Sequence, residues 1–264
     1  VEGRFTARTE EARVGDPGFG IGCAVGDVEG DGDPDLYVAN FGSNVLYRNR
    51  GDGGFDDHSR ASGTDDGGWG VSAGFFDADR DGDLDLYLVN YVYFTLELQR
   101  SKFTMNEGGK SEAYPHPDLF EGEAYRYYRN EGNGSFSSVA SEVGLAPLVP
   151  GKGLGVTFCD VERDGDVDVY VANDSTPNFL FVNDGSGSFE DIGPIAGCAF
   201  NLDGQTEASM GVDFGDADGD GLADLFVSHL DLETNTYYGN RSKDGVVAFR
   251  DLTRRAGLAQ PSVR

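Results

Sequence analysis

The chain has 264 residues and a formal net charge of −27, with 38% hydrophobic residues and 40 Gly. Such acidity excludes nucleic-acid phosphate and anionic membrane surfaces as partners, since both call for Lys and Arg. No apolar run approaches the roughly 18 residues needed to cross a bilayer, and 18 Phe with 12 Tyr at regular intervals argue for a packed fold. The Gly content and the short apolar stretches predict many short strands joined by tight turns, an all-β fold.

In chain order, GRFTARTEEARVG comes first and matches the end of later units, GSFSSVASEVG and VAFRDLTRRAG. Residues 1–18 are therefore read as the last strand of a preceding repeat, and Val1 as a processed or truncated start. Four units follow, over residues 19–66, 67–148, 149–206 and 207–258. Each opens with a Gly-rich apolar strand: GFGIGCAVG, GGWGVSAGFF, GKGLGVTFC and ASMGVDFG. An acidic loop comes next, then an alternating strand such as LYVAN. A hairpin closes the unit across GDGG, GNGS or GSGS, where Gly supplies positive φ. The loops start at Asp27, Asp77, Asp160 and Asp216, at spacings of 50, 83 and 56. Removing an insertion of roughly 30 residues from the second interval leaves a period of about 50, in the range of propeller blades. Four antiparallel strands per unit describe a blade of a β-propeller. The C-terminus offers no three strands to partner Phe5, so the chain is expected to be part of a larger ring or to be completed by another chain.

The loops carry the chemistry. Positions 1, 3, 5, 7 and 9 are Asp27, Glu29, Asp31, Asp33 and Asp35 in the first loop, and Asp77, Asp79, Asp81, Asp83 and Asp85 in the second. They are Asp160, Glu162, Asp164, Asp166 and Asp168 in the third, and Asp216, Asp218, Asp220, Leu222 and Asp224 in the fourth. Crowded hard oxygens suit Ca²⁺, which accepts 6–8 of them at flexible geometry, better than Mg²⁺, which prefers a rigid octahedron. Position 7 is expected to offer its carbonyl, so Leu222 is compatible. An EF-hand needs Glu at position 12 between two helices. Position 12 here is Val38, Leu88, Val171 or Val227 between strands, so EF-hands are rejected and position 9 is assigned the closing role. Up to four Ca²⁺ ions are expected. The second and fourth loops, with Asp at position 3, fit the pattern best.

The DxDxDGxxD loop after a Gly-rich strand resembles the FG-GAP/VCBS repeat of integrin α-subunit propellers. The stretch GKGLGVTFCDVERDGDVDVYVANDSTPNFLFVNDGSGSFED, together with MGVDFGDADGDGLADLF and the unit ends EVGL and RAGL, is similar to the ASPIC/UnbV group, which includes cartilage acidic protein. The resemblance covers nearly the whole chain. It implies a Ca²⁺-binding, usually seven-bladed propeller, typically exported, with adhesion and matrix association as the usual roles. The chain departs from it in having about four blades, in Glu29 and Glu162, and in showing no C-terminal ASPIC-type segment.

Other features have plain readings beside tempting ones. Arg50-Gly51-Asp52 spells an integrin-ligand tripeptide but falls where every unit has a hairpin turn. Asn133, Asn173 and Asn240 begin glycosylation sequons. The insertion, about 91–124, carries Tyr91, Tyr93, Phe94, Phe103, Tyr114 and Phe120, and TLELQRSKF within it predicts a short helix. Its aromatics either pack back on their own blade or form a partner or glycan surface. Cys23, Cys159 and Cys198 show no CxxC spacing and are odd in number, so at least one is free or pairs outside the chain, with one disulfide open as a possibility. His58, His116 and His229 lie in unrelated contexts, and no catalytic motif appears, so no enzyme activity is expected. The expected function is a calcium-binding structural or protein-interaction module, secreted, cell-surface or periplasmic, because extracellular modules bind Ca²⁺ at about 10⁻⁴–10⁻³ M. Its partners would be other protein subunits or matrix and cell-surface components. A glycan-binding lectin-like propeller is the alternative, and a calcium-dependent polysaccharide lyase a more distant one.

Overall fold

The computed structural model describes residues 3–102, 115–230 and 233–259. Its strands form four antiparallel sheets, each a simple meander. Blade 1 contains β1 (Phe19–Gly26), β2 (Asp35–Phe41), β3 (Val45–Asn49) and β4 (Phe55–Asp57). Blade 2 contains β5 (Gly70–Phe76), β6 (Asp85–Asn90), β7 (Arg126–Asn130) and β8 (Phe136–Ser138). Blade 3 contains β9 (Gly153–Cys159), β10 (Asp168–Asn173), β11 (Phe179–Asn183) and β12 (Phe189–Asp191). Blade 4 contains β13 (Ser209–Gly215), β14 (Asp224–His229), β15 (Thr236–Asn240) and β16 (Phe249–Asp251). The acidic loops join the first strand of each blade to the second.

Successive blades stack face to face, as in a β-propeller. Side chains alternate along a strand, so a blade covered on both sides needs apolar residues at every position. The LYVAN-type runs meet that need. Tyr37 and Ala39 of β2 share one buried cluster with Leu86 and Leu88 of β6. Tyr87 and Val89, on the other side of β6, pack with Val169 and Val171. Tyr170 and Ala172 then pack with Leu225 and Val227. The first strands lie side by side, β1 beside β5, β5 beside β9 and β9 beside β13. Close approach requires Gly there: a Cβ on Gly22 would strike the Val71 carbonyl, and one on Gly155 the Met210 carbonyl. Two residues before the loop, Phe75 covers Gly26 of blade 1 and Phe158 covers Gly74 of blade 2.

The outward faces of blades 1 and 4 are open among the described residues. Val25, at the position of Phe75 and Phe158, is 65% exposed. Phe226, at the position of the fully buried Tyr37, Tyr87 and Tyr170, is 39% exposed. A groove of about 750 Å³ runs against this face, lined by Phe214, Leu225, Phe226, Leu252 and Leu258.

One expectation differs from the structure. Residues 3–8 form no strand, and Phe5 is fully exposed. With no third strand beside them, their backbone groups have no ladder to join. A single helical turn follows, α1 (Thr9–Ala12), like α2 (Ser59–Ser62) after β4.

The insertion contributes α3 (Leu96–Lys102), as TLELQRSKF predicts, a 3₁₀ turn at Pro117–Leu119, and the turn's packing against blade 3 through Lys152 Nζ to Asp118, 3.1 Å. Phe103 and Tyr114 lie outside the described residues. Of the other four aromatics, three return to the blades. Trp69 stands edge-on to Phe41 at 5.1 Å, Tyr91 at 5.4 Å and Phe94 at 5.1 Å, and Phe120 lies 5.9 Å from Phe94. This cluster sits at the strand ends opposite the acidic loops. Tyr93 remains 58% exposed beside it.

Candidate metal centres

All four loops fold alike. The carboxylate at position 1 accepts from backbone N–H groups further round the turn: Asp27 from Asp31 and Gly32, Asp77 from Gly82, Asp160 from Asp164 and Gly165, Asp216 from Gly219 and Gly221. Position 5 turns back to accept from position 7, as Asp31 does from the Asp33 amide at 2.9 Å. Asp81, Asp164 and Asp220 do the same.

Position 9 closes each loop. Asp35, Asp85, Asp168 and Asp224 are almost wholly buried. One oxygen of each accepts the position-2 amide, Val28, Ala78, Val161 or Ala217, at 2.9–3.2 Å. The other accepts the amide at the end of the third strand, Asn49, Asn130, Asn183 or Asn240, at 2.7–3.0 Å. Asp85 and Asp224 also accept from Tyr127 and Tyr237 hydroxyls, both at 2.7 Å. The closing role assigned to position 9 therefore includes pinning three strands.

The remaining side chains converge. One oxygen from each of Asp27, Glu29 and Asp35 lies within 4.8 Å of the others, and the same holds for Asp77, Asp79 and Asp81, for Asp160, Glu162 and Asp168, and for Asp216, Asp218 and Asp224. Three buried oxygens in these sets have no hydrogen-bond partner: Glu29 Oε2, Asp77 Oδ1 and Glu162 Oε2. Buried polar atoms are rarely left so, because an unpaired one costs about 1–3 kcal/mol. A divalent cation bound by oxygen would satisfy them, so loops 1, 2 and 3 fit the ion, with the other oxygen of Glu29 paired to Arg48. The longer Glu side chains thus reach their clusters. Loop 4 is the more open, and Arg241 pairs with Asp218 and Asp220 at 3.1 and 3.4 Å. The position-7 carboxylates point away, toward hairpin glycines: Asp33 toward Gly51, Asp83 toward Gly132, Asp166 toward Gly185. This agrees with position 7 offering only its carbonyl, and Leu222 fits the same arrangement.

Charge crowding shows in the acidities. Burial first, and then the neighbouring carboxylates, push Asp168 up to about 8; burial pushes Asp85 up to about 6. Asp35, Asp79 and Glu162 are raised for the same leading reason. Nearby positive charge would reverse these shifts.

Two sets of residues escaped the sequence reading. The Asn ending each third strand bridges blades. Asn130 Nδ2 donates to the Val28 carbonyl of blade 1 at 2.7 Å, Asn183 to Ala78 of blade 2 at 2.7 Å, and Asn240 to Val161 of blade 3 at 2.9 Å. The recurring Asn before the hairpin turn, in YRN, FVN and YGN, was the available signal. The second set is Arg80 and Arg163 at position 4 of loops 2 and 3, which reach the next loop.

The other candidates resolve simply. Arg50 pairs with Asp52 at 3.2 Å and lies near Asp56, so the tripeptide's two charges close on each other across the turn. Asn173 and Asn240 are fully buried, whereas Asn133 is exposed at a hairpin tip. The three cysteines are free, and burial raises the Cys159 thiol to about 11 and the Cys198 thiol further. His229 is buried, with Nδ1 2.8 Å from the Thr234 carbonyl and Nε2 3.1 Å from Ser209 Oγ. His116 caps the Pro117 turn.

The chain is similar in sequence to known proteins over part of its length. Cartilage acidic protein 1 of Xenopus tropicalis is 31% identical over 132 residues, 47% of this chain and 18% of that protein. The Homo sapiens protein of the same name is 31% identical over 114 residues, 43% of this chain and 16% of its own length. The aligned stretch thus spans less than a fifth of these relatives. A solved structure of an Agrocybe aegerita lectin, described as recognising non-reducing terminal N-acetylglucosamine, has 18% identity and a TM-score of 0.43, covering 86% of this chain and 50% of that one. The FG-GAP-like repeat matches residues 27–88, 116–171 and 160–227, more than half of the chain. With an acidic loop at the same place in all four blades, the chain belongs to the FG-GAP-like repeat family.

Proposed function

We propose that the protein is a calcium-stabilised, extracytoplasmic propeller that serves as a structural or protein-interaction module and has no catalytic role. The observation that carries this reading is the set of partnerless buried oxygens, Glu29 Oε2, Asp77 Oδ1 and Glu162 Oε2, one in each of three equivalent acid clusters. The residues that would hold the ion are Asp27, Glu29 and Asp35 in loop 1, Asp77, Asp79 and Asp81 in loop 2, Asp160, Glu162 and Asp168 in loop 3, and Asp216, Asp218 and Asp224 in loop 4. The ion would supply charge neutralisation and rigidity. Metal binding of this kind is folding free energy.

The interaction role rests on surfaces away from the loops. Phe41, Tyr93, Leu96 and Leu119 are exposed around the Trp69–Phe94 cluster. The open faces of blades 1 and 4 offer a second place for assembly with further blades of the same type, whether in a seven-bladed ring or on a partner. The same aromatic surface supports the alternative of a glycan ligand, since sugar rings stack on exposed aromatics; a glycan array separates this from protein binding.

The test is thermal unfolding with Ca²⁺ and with excess chelator. The expected result is a melting temperature that rises with Ca²⁺ in the millimolar range and falls clearly on chelation. Identical melting in both conditions would sink the calcium reading.

A further inference from the structure

We infer that Arg80 and Arg163 are inter-blade positioning residues that set the cation affinity of the loop in the next blade, so that loops 2, 3 and 4 form a coupled rank while loop 1 stands outside it. This deepens the calcium reading and rests on it.

The two arginines occupy the same place, position 4 of loops 2 and 3, and both adopt left-handed backbone, with φ of 62° and 64°. That conformation disfavours a residue carrying a Cβ. The equivalent residues in loops 1 and 4 are Gly30 and Gly219, with φ of 70° and 78°. Arginine at this position is therefore a locally unfavourable choice, made twice, where glycine serves elsewhere in the same fold.

Both side chains leave their own loop. Arg80 Nη2 donates to the Asp164 carbonyl of loop 3 at 3.3 Å, and the guanidinium pairs with the Asp166 carboxylate, whose side chain is only 9% exposed. It lies across Gly165, where a Cβ would come within 2.9 Å of Nη2. Arg163 reaches the same place one blade on, where a Cβ on Gly221 of loop 4 would lie 2.8 Å from its Nη2, although Leu222 at position 7 gives it no carboxylate to pair with. By contrast, Gly32 and Gly82, at position 6 of loops 1 and 2, have nothing within 4 Å of that point. The arrangement tracks the sequence: an arginine at position 4 covers position 6 of the following loop, and Gly30 leaves Gly82 uncovered.

The covered segment is the one the ion needs held. Positions 5 to 7 form the sharp turn, in which the position-5 carboxylate accepts the position-7 amide and position 7 is left to offer its carbonyl. A guanidinium fixed to the position-5 carbonyl and the position-7 carboxylate holds that carbonyl in place before the ion arrives. Its positive charge is cancelled by Asp166, which is turned away from the cluster, so the clamp orders the site without opposing the cation.

The test is a Ca²⁺ titration of the full chain followed by the backbone amide signals of Gly32, Gly82, Gly165 and Gly221, one reporter per loop. Arg80→Gly is the variant to use, because glycine already fills this position in loops 1 and 4 and keeps the backbone conformation. The expected result is that the midpoint at Gly165 moves to higher Ca²⁺ by about three- to fivefold, the scale of one partly exposed ion pair, while Gly32 and Gly82 hold. Arg163→Gly should do the same at Gly221. Gly30→Arg should install the clamp and lower the midpoint at Gly82. The inference is overturned if Arg80→Gly leaves Gly165 unmoved, or shifts Gly82 in its own loop instead. Titration of no loop in the unsubstituted protein would be a different failure, that of the calcium reading itself.

Discussion

Replacing Asn183 by Ala tests the inter-blade junction directly. Asn183 is 3% exposed and makes four hydrogen bonds. Its Nδ2 donates to Ala78 O of the neighbouring blade at 2.7 Å and to Val167 O at 3.3 Å. Its Oδ1 accepts from the amides of Gly185 at 3.1 Å and Gly187 at 3.2 Å. Alanine removes all four and strands the buried Ala78 carbonyl. A stranded buried group costs about 1–3 kcal/mol, and each remaining lost bond about 1 kcal/mol. The expected loss is about 3–5 kcal/mol. Asn49 is the internal control. It keeps the bonds within its own blade, to Pro34 O at 2.9 Å and from the Gly51 amide at 3.1 Å, with no partner across a junction. Water reaches those groups, so Asn49→Ala should cost only about 1 kcal/mol. Urea unfolding in saturating Ca²⁺, followed by the fluorescence of the single tryptophan, Trp69, measures both. Equal losses for the two variants would refute the claim that the cross-blade bond is what distinguishes them.

The remaining predictions concern pH and glycosylation. Asp85 and Asp168 are raised to about 6 and about 8, above an ordinary 3.8, so the metal-free fold binds their protons more tightly than the unfolded chain does. Their effect on the metal-free protein is therefore to make it most stable near pH 4 and progressively less so as pH rises through 6 to 8. Added Ca²⁺, which favours the carboxylates, should remove or reverse that slope; urea midpoints across this range with and without chelator decide it, and stability that climbs with pH in chelator would contradict the assignment. In a glycosylating host, only Asn133 of the three sequons should carry a glycan in folded protein, by peptide mass spectrometry, because Asn173 and Asn240 are fully buried.

The blades were legible because a repeat states each boundary four times. The position of each first Asp gave the end of β1, β5, β9 and β13, and the apolar runs after the loops gave strands buried on both faces. The acid clusters were legible for the same reason: in each loop three of the carboxylates named from the sequence converge. What the linear pattern could not convey was pairing across blades. Arg80 and Asp164 are 84 residues apart, and Asn183 and Ala78 are 105 apart. Nothing local in RDG or FVN marks a long-range partner. The preference for loops 2 and 4 judged position 3 by side-chain length alone. The structure brings Glu29 and Glu162 into their clusters just as it does Asp79 and Asp218, with Arg48 paired to Glu29 and Arg241 to Asp218. Residues 3–8 illustrate the converse limit: a matching sequence makes a strand only where a neighbour offers a ladder.

The residue at position 2 of loops 1, 2 and 3 explains why a metal there would matter beyond the loop. In blade 2, the Ala78 amide donates to Asp85 at 3.2 Å, while its carbonyl accepts from Asn183 of blade 3 at 2.7 Å. In blade 1, Val28 links Asp35 to Asn130, and in blade 3, Val161 links Asp168 to Asn240. Each such residue has its amide in the candidate metal loop and its carbonyl in the next junction. An ion held at position 1 and, in loops 1 and 3, at position 9 would fix the position-2 residue between them, and through it the angle at which the next blade is held. Without the ion, repulsion among the carboxylates would loosen the same residue. Chelation should therefore raise amide exchange first at Asn130, Asn183 and Asn240, whose amides donate to the position-9 carboxylates, and only later at Tyr91, whose amide donates to the Trp69 carbonyl at the opposite ends of the strands. Uniform loosening across both ends would show that the loops stabilise the blades only in bulk.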